Sequence, residues 1–307
     1  MIKDLSIFTK KEVMIMGGLG FSAGLPIMLV FSTLSVWLVK AGVERSTVTL
    51  FSWAGFAYSF KFLWSPIVDK FQIPLLHKIG HRKSWLLITQ ILIFFSIILT
   101  SYSDPQNNLK FMAFAIVLIA FFSATQDIVI DAFRIESAPE KKQGPLASMY
   151  LAGYRIAMIV SGAGSLWLAS IMSDENYQTE VWKNVYQIIG FFMIIGFIST
   201  ALCKEPTNNK VKKINYKNQL KFTFSTILSI LIFFVFFLNI PEVKILNHFY
   251  NFFYNIFKII FSFGVALISL LILEKINFLP KKQSREIFIN PIIDFFKRYK
   301  KIALMIV

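Results

Sequence analysis

The chain has 307 residues, of which 56% are hydrophobic, including 34 phenylalanines, and it carries a formal net charge of +15. A strongly basic charge can indicate a nucleic-acid-binding protein. Here, however, the lysines and arginines lie between apolar stretches of about 20 residues, each long enough to cross a bilayer as a helix. These features predict a membrane protein in contact with the lipid bilayer and exclude nucleic acid as a partner.

Apolar windows predict an all-α, polytopic membrane protein whose first helix is too long to be a cleaved signal peptide. By loop, 24 of the 32 lysines and arginines fall on the side of the N-terminus and 6 on the other side. This asymmetry predicts a cytoplasmic N-terminus. In chain order, the eight predicted spans are residues 13–39, 47–69, 84–103, 110–134, 146–172, 181–203, 221–240 and 250–274.

The texture of the spans predicts the domain organisation. The first six spans contain Gly, Ser, Pro and polar residues, which favour close helix packing, whereas the last two contain mostly Phe, Ile and Leu. Only six residues follow Lys301, too few for another span, so we expect the chain to stop as a ninth helix begins. The predicted parts are a six-helix domain at 1–205, a basic cytoplasmic linker at 206–220, a peripheral hairpin at 221–275, and a cytoplasmic segment with the incomplete ninth helix at 276–307.

The fourth predicted span contains the most informative polar residues. Asp127, Asp131 and Arg134 follow fifteen uncharged residues at 111–125, and their spacing places them on one helical face. Charges deep in a bilayer are costly and normally face a protein interior or a watery cavity. Asp127 and Asp131 are therefore candidates for coupling or gating. The alternative is that Arg134 already lies among the headgroups and that only Asp127 is deep.

Two further cations and a glutamine lie within predicted spans. Lys61 either extends to the headgroups or faces a cavity opposite Asp127 or an anionic substrate. We expect Arg155 to pair with Asp127 or Asp131, in a purely structural pair or beside a substrate. Gln126 is a weaker candidate, since an interhelical hydrogen bond would explain it equally well.

The polar pattern of residues 60–69, 123–134 and 153–155, together with the loop at 69–83, resembles the major facilitator transporters and, within them, the muropeptide permease (AmpG) family. The loop after the second span has the acidic, basic, glycine and basic-cluster order that forms a charge network with the end of the fourth helix in those transporters. Ser65, where glycine is usual, and an insertion between Lys70 and Gly80 depart from that pattern. The AmpG resemblance rests on 60–69, 123–134 and 153–155. The residues that the resemblance assigns to the charge network are Asp69, Lys70, Arg82, Lys83, Arg134 and Glu136.

This resemblance implies two six-helix halves with an additional helical pair between them, in the bacterial inner membrane. It implies proton-linked import of anhydro-muropeptides, without a cofactor or a bound metal. Lys61, Arg155 and Gln126 would then contact the substrate, and Asp127 would couple to a proton.

Three functions remain open from the sequence. The first is a transporter of peptidoglycan fragments. The second is a split or inactive product that needs a partner chain to supply the other half, since alternating access requires two halves around one site. The third, an integral-membrane enzyme, is disfavoured because no polar catalytic loop or metal-ligand cluster is evident, so we expect no enzymatic activity.

Overall fold

The structure is a computed structural model that describes residues 6–73, 76–173, 177–206, 216–241, 248–276 and the single residues 278, 279, 285, 290 and 297. Helices are the regular elements of the described residues, which contain no β-strand. The chain divides into two compact units. The first comprises Met1–Asp69 and Ile73–Asn209, and the second comprises Lys70–Gln72 and Lys210–Val307.

The described part of the first unit contains eight α-helices, and five of them are long and apolar enough to cross a membrane. These five are α1 (Lys11–Lys40), α5 (His81–Ser101), α6 (Leu109–Ser137), α7 (Glu140–Met172) and α8 (Thr179–Leu202). A one-residue turn at Phe31 interrupts α1, and a π-helical turn at Val160–Gly164 interrupts α7. The three short helices are α2 (Arg45–Phe51), α3 (Phe56–Ser59) and α4 (Ser65–Lys70).

The second predicted span is not one continuous helix, which corrects the sequence-based expectation for residues 47–69. Between α2 and α4 the chain forms short 3₁₀ turns at Ser52–Gly55 and Lys61–Leu63. Pro66 explains the second interruption, because it has no N–H to donate to the carbonyl of Phe62. The Ser65 hydroxyl donates to that carbonyl instead, at 3.1 Å.

Helix α7, which corresponds to the fifth predicted span, begins at Glu140, six residues before the predicted start at 146. Hydropathy windows detect only the apolar part of a helix, and the first turns of α7 are polar and charged. Pro139 precedes the helix at its N-cap position with extended backbone angles.

The helices α1 and α7 approach each other so closely that glycine is required at their contact. A Cβ at Gly20 would collide with the backbone of Tyr150, and one at Gly24 would collide with that of Tyr154. Conversely, a Cβ at Gly153 would collide with the backbone of Gly17. Small residues permit this backbone approach in membrane helices, so the contact fixes the part of α7 that carries Tyr150 and Tyr154.

The second unit contains α9 (Tyr216–Asn239) and α10 (His248–Lys275), which occupy the positions of the last two predicted spans. These helices are joined by a hydrogen bond between the hydroxyls of Ser229 and Ser269, at 2.9 Å. Residues 207–215 of the predicted linker lie outside the described residues. The predicted start of a ninth helix also lies outside them, apart from residues 290 and 297.

Candidate functional site

An ion pair between Lys61 and Asp127 lies inside the first unit. The lysine Nζ is 3.9 Å from Oδ2 of Asp127, and the two side chains are 35% and 13% exposed. The other carboxylate oxygen, Oδ1, is buried and has no hydrogen-bond partner among the described residues. Because it is sheltered and paired with one lysine, Asp127 is the strongest candidate for a carboxylate that gains and loses a proton as part of the protein's function.

The interruption in the chain before α4 places Lys61 opposite Asp127. Lys61 begins the 3₁₀ turn that replaces a regular helix there. Next to this turn, Trp64 anchors the segment to α6: its Nε1 donates to Thr125 Oγ1 at 3.1 Å, and its ring centroid lies 4.9 Å from that of Phe121. Irregular backbone at membrane depth is tolerated where it is covered by protein or lines a cavity. The contacts of Trp64 cover this segment with α6.

Arg155 does not form the expected pair with Asp127 or Asp131. Its side chain is exposed, and its Nη1 lies 3.6 Å from the sulfur of Met158, within its own helix. The reason is geometric. Gly153 and Ala157 are the buried residues that face α1, and a residue two positions from Gly153 points about 200° around the helix, away from that contact.

Asp131 instead pairs with Arg134 on the same helix, with Nη2 of the arginine 3.5 Å from Oδ1 of the aspartate. The Asp131 side chain is half exposed, in contrast to that of Asp127. Gln126 is completely buried, and its Nε2 donates to the hydroxyl of Ser22 on α1 at 2.7 Å. This bond fits the alternative that Gln126 joins two helices, and a contact between Gln126 and a substrate stays a prediction.

The charge network at the ends of the helices is centred on Arg82. Its guanidinium makes two hydrogen bonds to the carboxylate of Glu136, at 2.6 and 3.1 Å, and one to Asp69 at 2.9 Å. The Arg82 side chain is only 6% exposed. Lys70, the last residue of α4, groups with the second unit. Through its bonds to Asp69 and Glu136, Arg82 joins the start of α5, where it lies, to the end of α4 and the end of α6.

Glu205 completes this region, although sequence reasoning did not identify it. Its carboxylate accepts hydrogen bonds from the backbone N–H groups of Arg82 and Lys83, at 2.9 and 3.1 Å, and so caps the N-terminus of α5. Lys83 in turn donates to the carbonyl of Cys203 at 2.9 Å. Gly80 has φ +120°, and a Cβ there would collide with the Glu205 carboxylate, which explains the glycine in the resembled loop pattern.

A cavity of about 400 Å³ lies beside this network. Its lining combines apolar residues with charged ones and includes Lys11, Met16, Phe133, Leu146 and Lys204. Neither Lys61, Asp127 nor Arg155 lines it. The cavity and the buried ion pair are therefore separate features. Among the described residues, no group of three or more His, Cys, Asp or Glu side chains could hold a metal ion.

The comparisons with known proteins agree on a class of membrane transporters. The model of the Major Facilitator Superfamily matches residues 42–279. The chain is 38% identical over 204 residues to the anhydromuropeptide permease of Escherichia coli (strain K12), which covers 66% of this chain and 40% of that protein. It is 36% identical over 215 residues to "Putative transporter AmpG 4" of Rickettsia conorii, which covers 69% of this chain and 49% of that protein.

The chain spans about half the length of these relatives. The family match covers most of the chain and explains its recurring apolar helices, so the expectation of a member of a transporter family rather than of an enzyme family is confirmed. The chain is a multi-pass membrane protein that belongs to the Major Facilitator Superfamily, and within that superfamily to the AmpG type.

Proposed function

We propose that this chain supplies the N-terminal half of a proton-linked importer of anhydro-muropeptides in the bacterial inner membrane. The substrate class comes from the E. coli relative, whose name states that it is an anhydromuropeptide permease. The chain spans about half of that relative, and alternating access requires two halves around a central site. The proposal therefore includes a second half-transporter as a partner.

The observation that carries the proposal is the sheltered pair of Lys61 and Asp127. In its charged form, Asp127 attracts the lysine ammonium across 3.9 Å. A proton on the carboxylate removes that negative charge and most of the attraction. Lys61 would then be free to contact an anionic group of the substrate. Proton uptake and substrate binding would be linked because both depend on the same lysine.

Arg155 supports the substrate side of this proposal. Its guanidinium is exposed within α7, and among the described residues its hydrogen-bond contact is with the sulfur of Met158. An unpaired arginine in a membrane domain normally faces water or a ligand, because contact with lipid is costly. Guanidinium groups bind carboxylates in a bidentate manner, which suits the peptide carboxylates of a muropeptide.

Uptake in cells tests this function. The chain is expressed together with a matching C-terminal half in bacteria that lack their own permease, and uptake of a radiolabelled anhydro-muropeptide is measured with and without a proton gradient. Uptake should require both halves and the gradient. Asp127→Asn should abolish the dependence on the gradient, because an amide keeps the shape of the carboxylate but cannot exchange a proton.

Asp104→Asn is the matched control, because this carboxylate lies in the loop between α5 and α6 and accepts hydrogen bonds from the neighbouring loop residues Gln106 and Asn107. That variant should transport as the parent does. Gradient-dependent uptake by the Asp127→Asn variant would place proton coupling elsewhere. Failure of the two halves together to take up muropeptide, with both present in the membrane, would contradict the substrate assignment.

A further inference from the structure

The cavity of about 400 Å³ beside the charge network is bounded by the ends of four long helices. Met16 belongs to the start of α1, Phe133 to the end of α6 and Leu146 to the start of α7, and Lys204 lies two residues beyond the end of α8. A helix that crosses a bilayer has its ends near the headgroups. Pockets that bind small ligands measure roughly 300–1,000 Å³, so this cavity is large enough for such a ligand at the membrane surface.

Apolar side chains line the inner part of this cavity. Met16, Phe133 and Leu146 are buried, with exposed fractions of 1%, 6% and 4%. Leu202, at the end of α8, also lines the cavity and is 50% exposed, so the apolar lining reaches the outer surface of the first unit. Apolar surface favours contact with hydrocarbon over contact with water. The lining therefore suits a ligand with a hydrocarbon part better than a free inorganic anion.

The carboxylates of the lining are each bonded to a group other than the two lysines that also line the cavity. Glu12 forms an ion pair with Lys142 across 3.7 Å. Glu136 accepts from Arg82 at 2.6 Å, and Glu205 accepts from two backbone N–H groups at the start of α5, at 2.9 and 3.1 Å. These bonds offset much of the negative charge of the lining, because each carboxylate has a cation or N–H donors of its own.

Lys11 and Lys204 line the cavity without taking part in those bonds. Both are exposed, and a lysine side chain at such a position places its ammonium at the level of the headgroups. Lys204 also begins a stretch of the sequence, residues 204–221, that contains six lysines and one carboxylate. On the predicted orientation, these helix ends lie at the cytoplasmic leaflet, where basic pockets between membrane helices bind anionic headgroups. The charge of the two lysines thus complements a lipid phosphate.

We propose that this cavity binds one anionic phospholipid of the phosphatidylglycerol class. The phosphate contacts the ammonium groups of Lys11 and Lys204, and the upper part of an acyl chain lies against Phe133 and Leu146. A bound lipid then connects the start of α1 with the chain that leaves α8. Neither Lys61 nor Asp127 lines the cavity, so this site is independent of the proposed transport function.

Native mass spectrometry of the full chain tests the site without requiring transport. The protein is stripped of lipid in detergent and titrated with phosphatidylglycerol of defined acyl chains, and the parent should bind one molecule. Lys11→Gln combined with Lys204→Gln should weaken this binding about 25-fold, because each lysine near an anionic surface contributes a factor of about five. Raising the salt concentration should weaken binding to the parent as well.

The matched control is Lys10→Gln combined with Lys141→Gln. These two lysines are exposed and lie at the starts of α1 and α7, but they do not line the cavity. The control removes the same charge from the same ends of the helices and should keep the affinity of the parent. Thermal unfolding of each variant shows that it is folded, and phosphatidylglycerol should raise the unfolding temperature of the parent and of the control more than that of the cavity variant.

Two further ligands distinguish the source of the phosphate. Phosphatidylethanolamine carries a phosphate but no net charge, so it should bind the parent more weakly than phosphatidylglycerol. Glycerol 1-phosphate has the phosphate without acyl chains and should not displace the bound lipid, because it gains nothing from the apolar lining.

Equal affinity of the parent and the cavity variant for phosphatidylglycerol would overturn the proposal. Equal binding of phosphatidylethanolamine would overturn the requirement for an anionic lipid, and displacement by glycerol 1-phosphate would replace the lipid with a soluble phosphate ester. A parent chain that binds no phosphatidylglycerol would refute the lipid site outright. Each of these results leaves the proposed function intact, since that function is tested by uptake.

Discussion

Arg82 holds the carboxylate of Glu136 through two parallel hydrogen bonds, from Nε at 3.1 Å and from Nη2 at 2.6 Å. This fork-to-carboxylate geometry is specific to arginine, because a lysine ammonium acts as a point charge and cannot make both bonds at once. Since Arg82 is almost completely buried, the pair is sheltered from the solvent that weakens exposed ion pairs. It therefore connects the start of α5 to the end of α6.

Arg82→Lys should lower the stability of the protein by about 1–3 kcal/mol, the range for hydrogen bonds to charged groups that are left partly unsatisfied. Thermal unfolding in detergent measures the change. Lys183→Met is the matched control: its ion pair with Glu180 is far more exposed, so its loss should change stability by less than about 1 kcal/mol. Equal effects of the two substitutions would show that Arg82 adds nothing beyond a surface ion pair.

The contact between α1 and α7 gives a second prediction about stability. Gly24→Ala should destabilise the protein by about 1–3 kcal/mol or more, because the added Cβ meets the backbone of Tyr154, which cannot move aside without shifting the helix. Gly144→Ala provides the control on the same helix as Tyr154. Nothing lies within 4 Å of a Cβ at Gly144, so alanine should be neutral or stabilising.

The result is read from the shift in unfolding temperature of the two variants in the same detergent. A Gly24→Ala protein as stable as the parent would mean that the helices can separate slightly at no cost. The close approach would then not fix the position of Tyr154.

The sequence could predict the long helices because each has an apolar window of sufficient length, and this signal is local. The interruption before α4 was not predictable in the same way. It depends on Pro66, which from the sequence alone could equally cause a simple kink, and on the contact of Trp64 with Thr125, which is distant in sequence. The capping of α5 by Glu205 was missed for the same reason, since more than 120 residues separate Glu205 from Arg82.

The expectation for Arg155 failed at a different step. Charge compensation correctly required a partner for a deep carboxylate, but composition could not decide between two cations in different helices. The direction of each side chain decides, and it depends on which face of α7 packs against α1. Lys61 was identified as a candidate from its position within a span, and the structure places it beside Asp127.

The orientation of the chain can be measured through its single cysteine. Burial raises the pKa of the Cys203 thiol to about 11, so the thiol remains protonated and unreactive at pH 7–8. The parent chain should therefore give little labelling with a membrane-impermeant maleimide. Lys78→Cys and Asn107→Cys, in the exposed loops on either side of α5, should be labelled from opposite faces.

The excess of lysine and arginine predicts that position 78 is cytoplasmic and position 107 is periplasmic. In intact cells, only Asn107→Cys should react, and Lys78→Cys should react after the membrane is opened. Labelling of Lys78→Cys from outside would reverse the predicted orientation of the whole first unit.

A double-mutant cycle separates the roles of the two cations within the spans. Lys61→Met and Asp127→Asn should each change stability, and their effects should be coupled by about 0.5–3 kcal/mol, because the two groups interact directly. The cycle between Arg155→Met and Asp127→Asn should show coupling near zero, since the Arg155 guanidinium contacts Met158 in its own helix and forms no ion pair with Asp127 among the described residues. Arg155→Met alone should change stability by less than about 0.5 kcal/mol, as expected for an exposed side chain.

In the two-chain uptake assay, however, the same substitution should raise KM more than it lowers kcat, because it removes a contact to the substrate rather than a structural bond. Strong coupling between Arg155 and Asp127 would instead restore the ion pair first expected from the sequence, and Lys61 would then be the better candidate for the substrate contact.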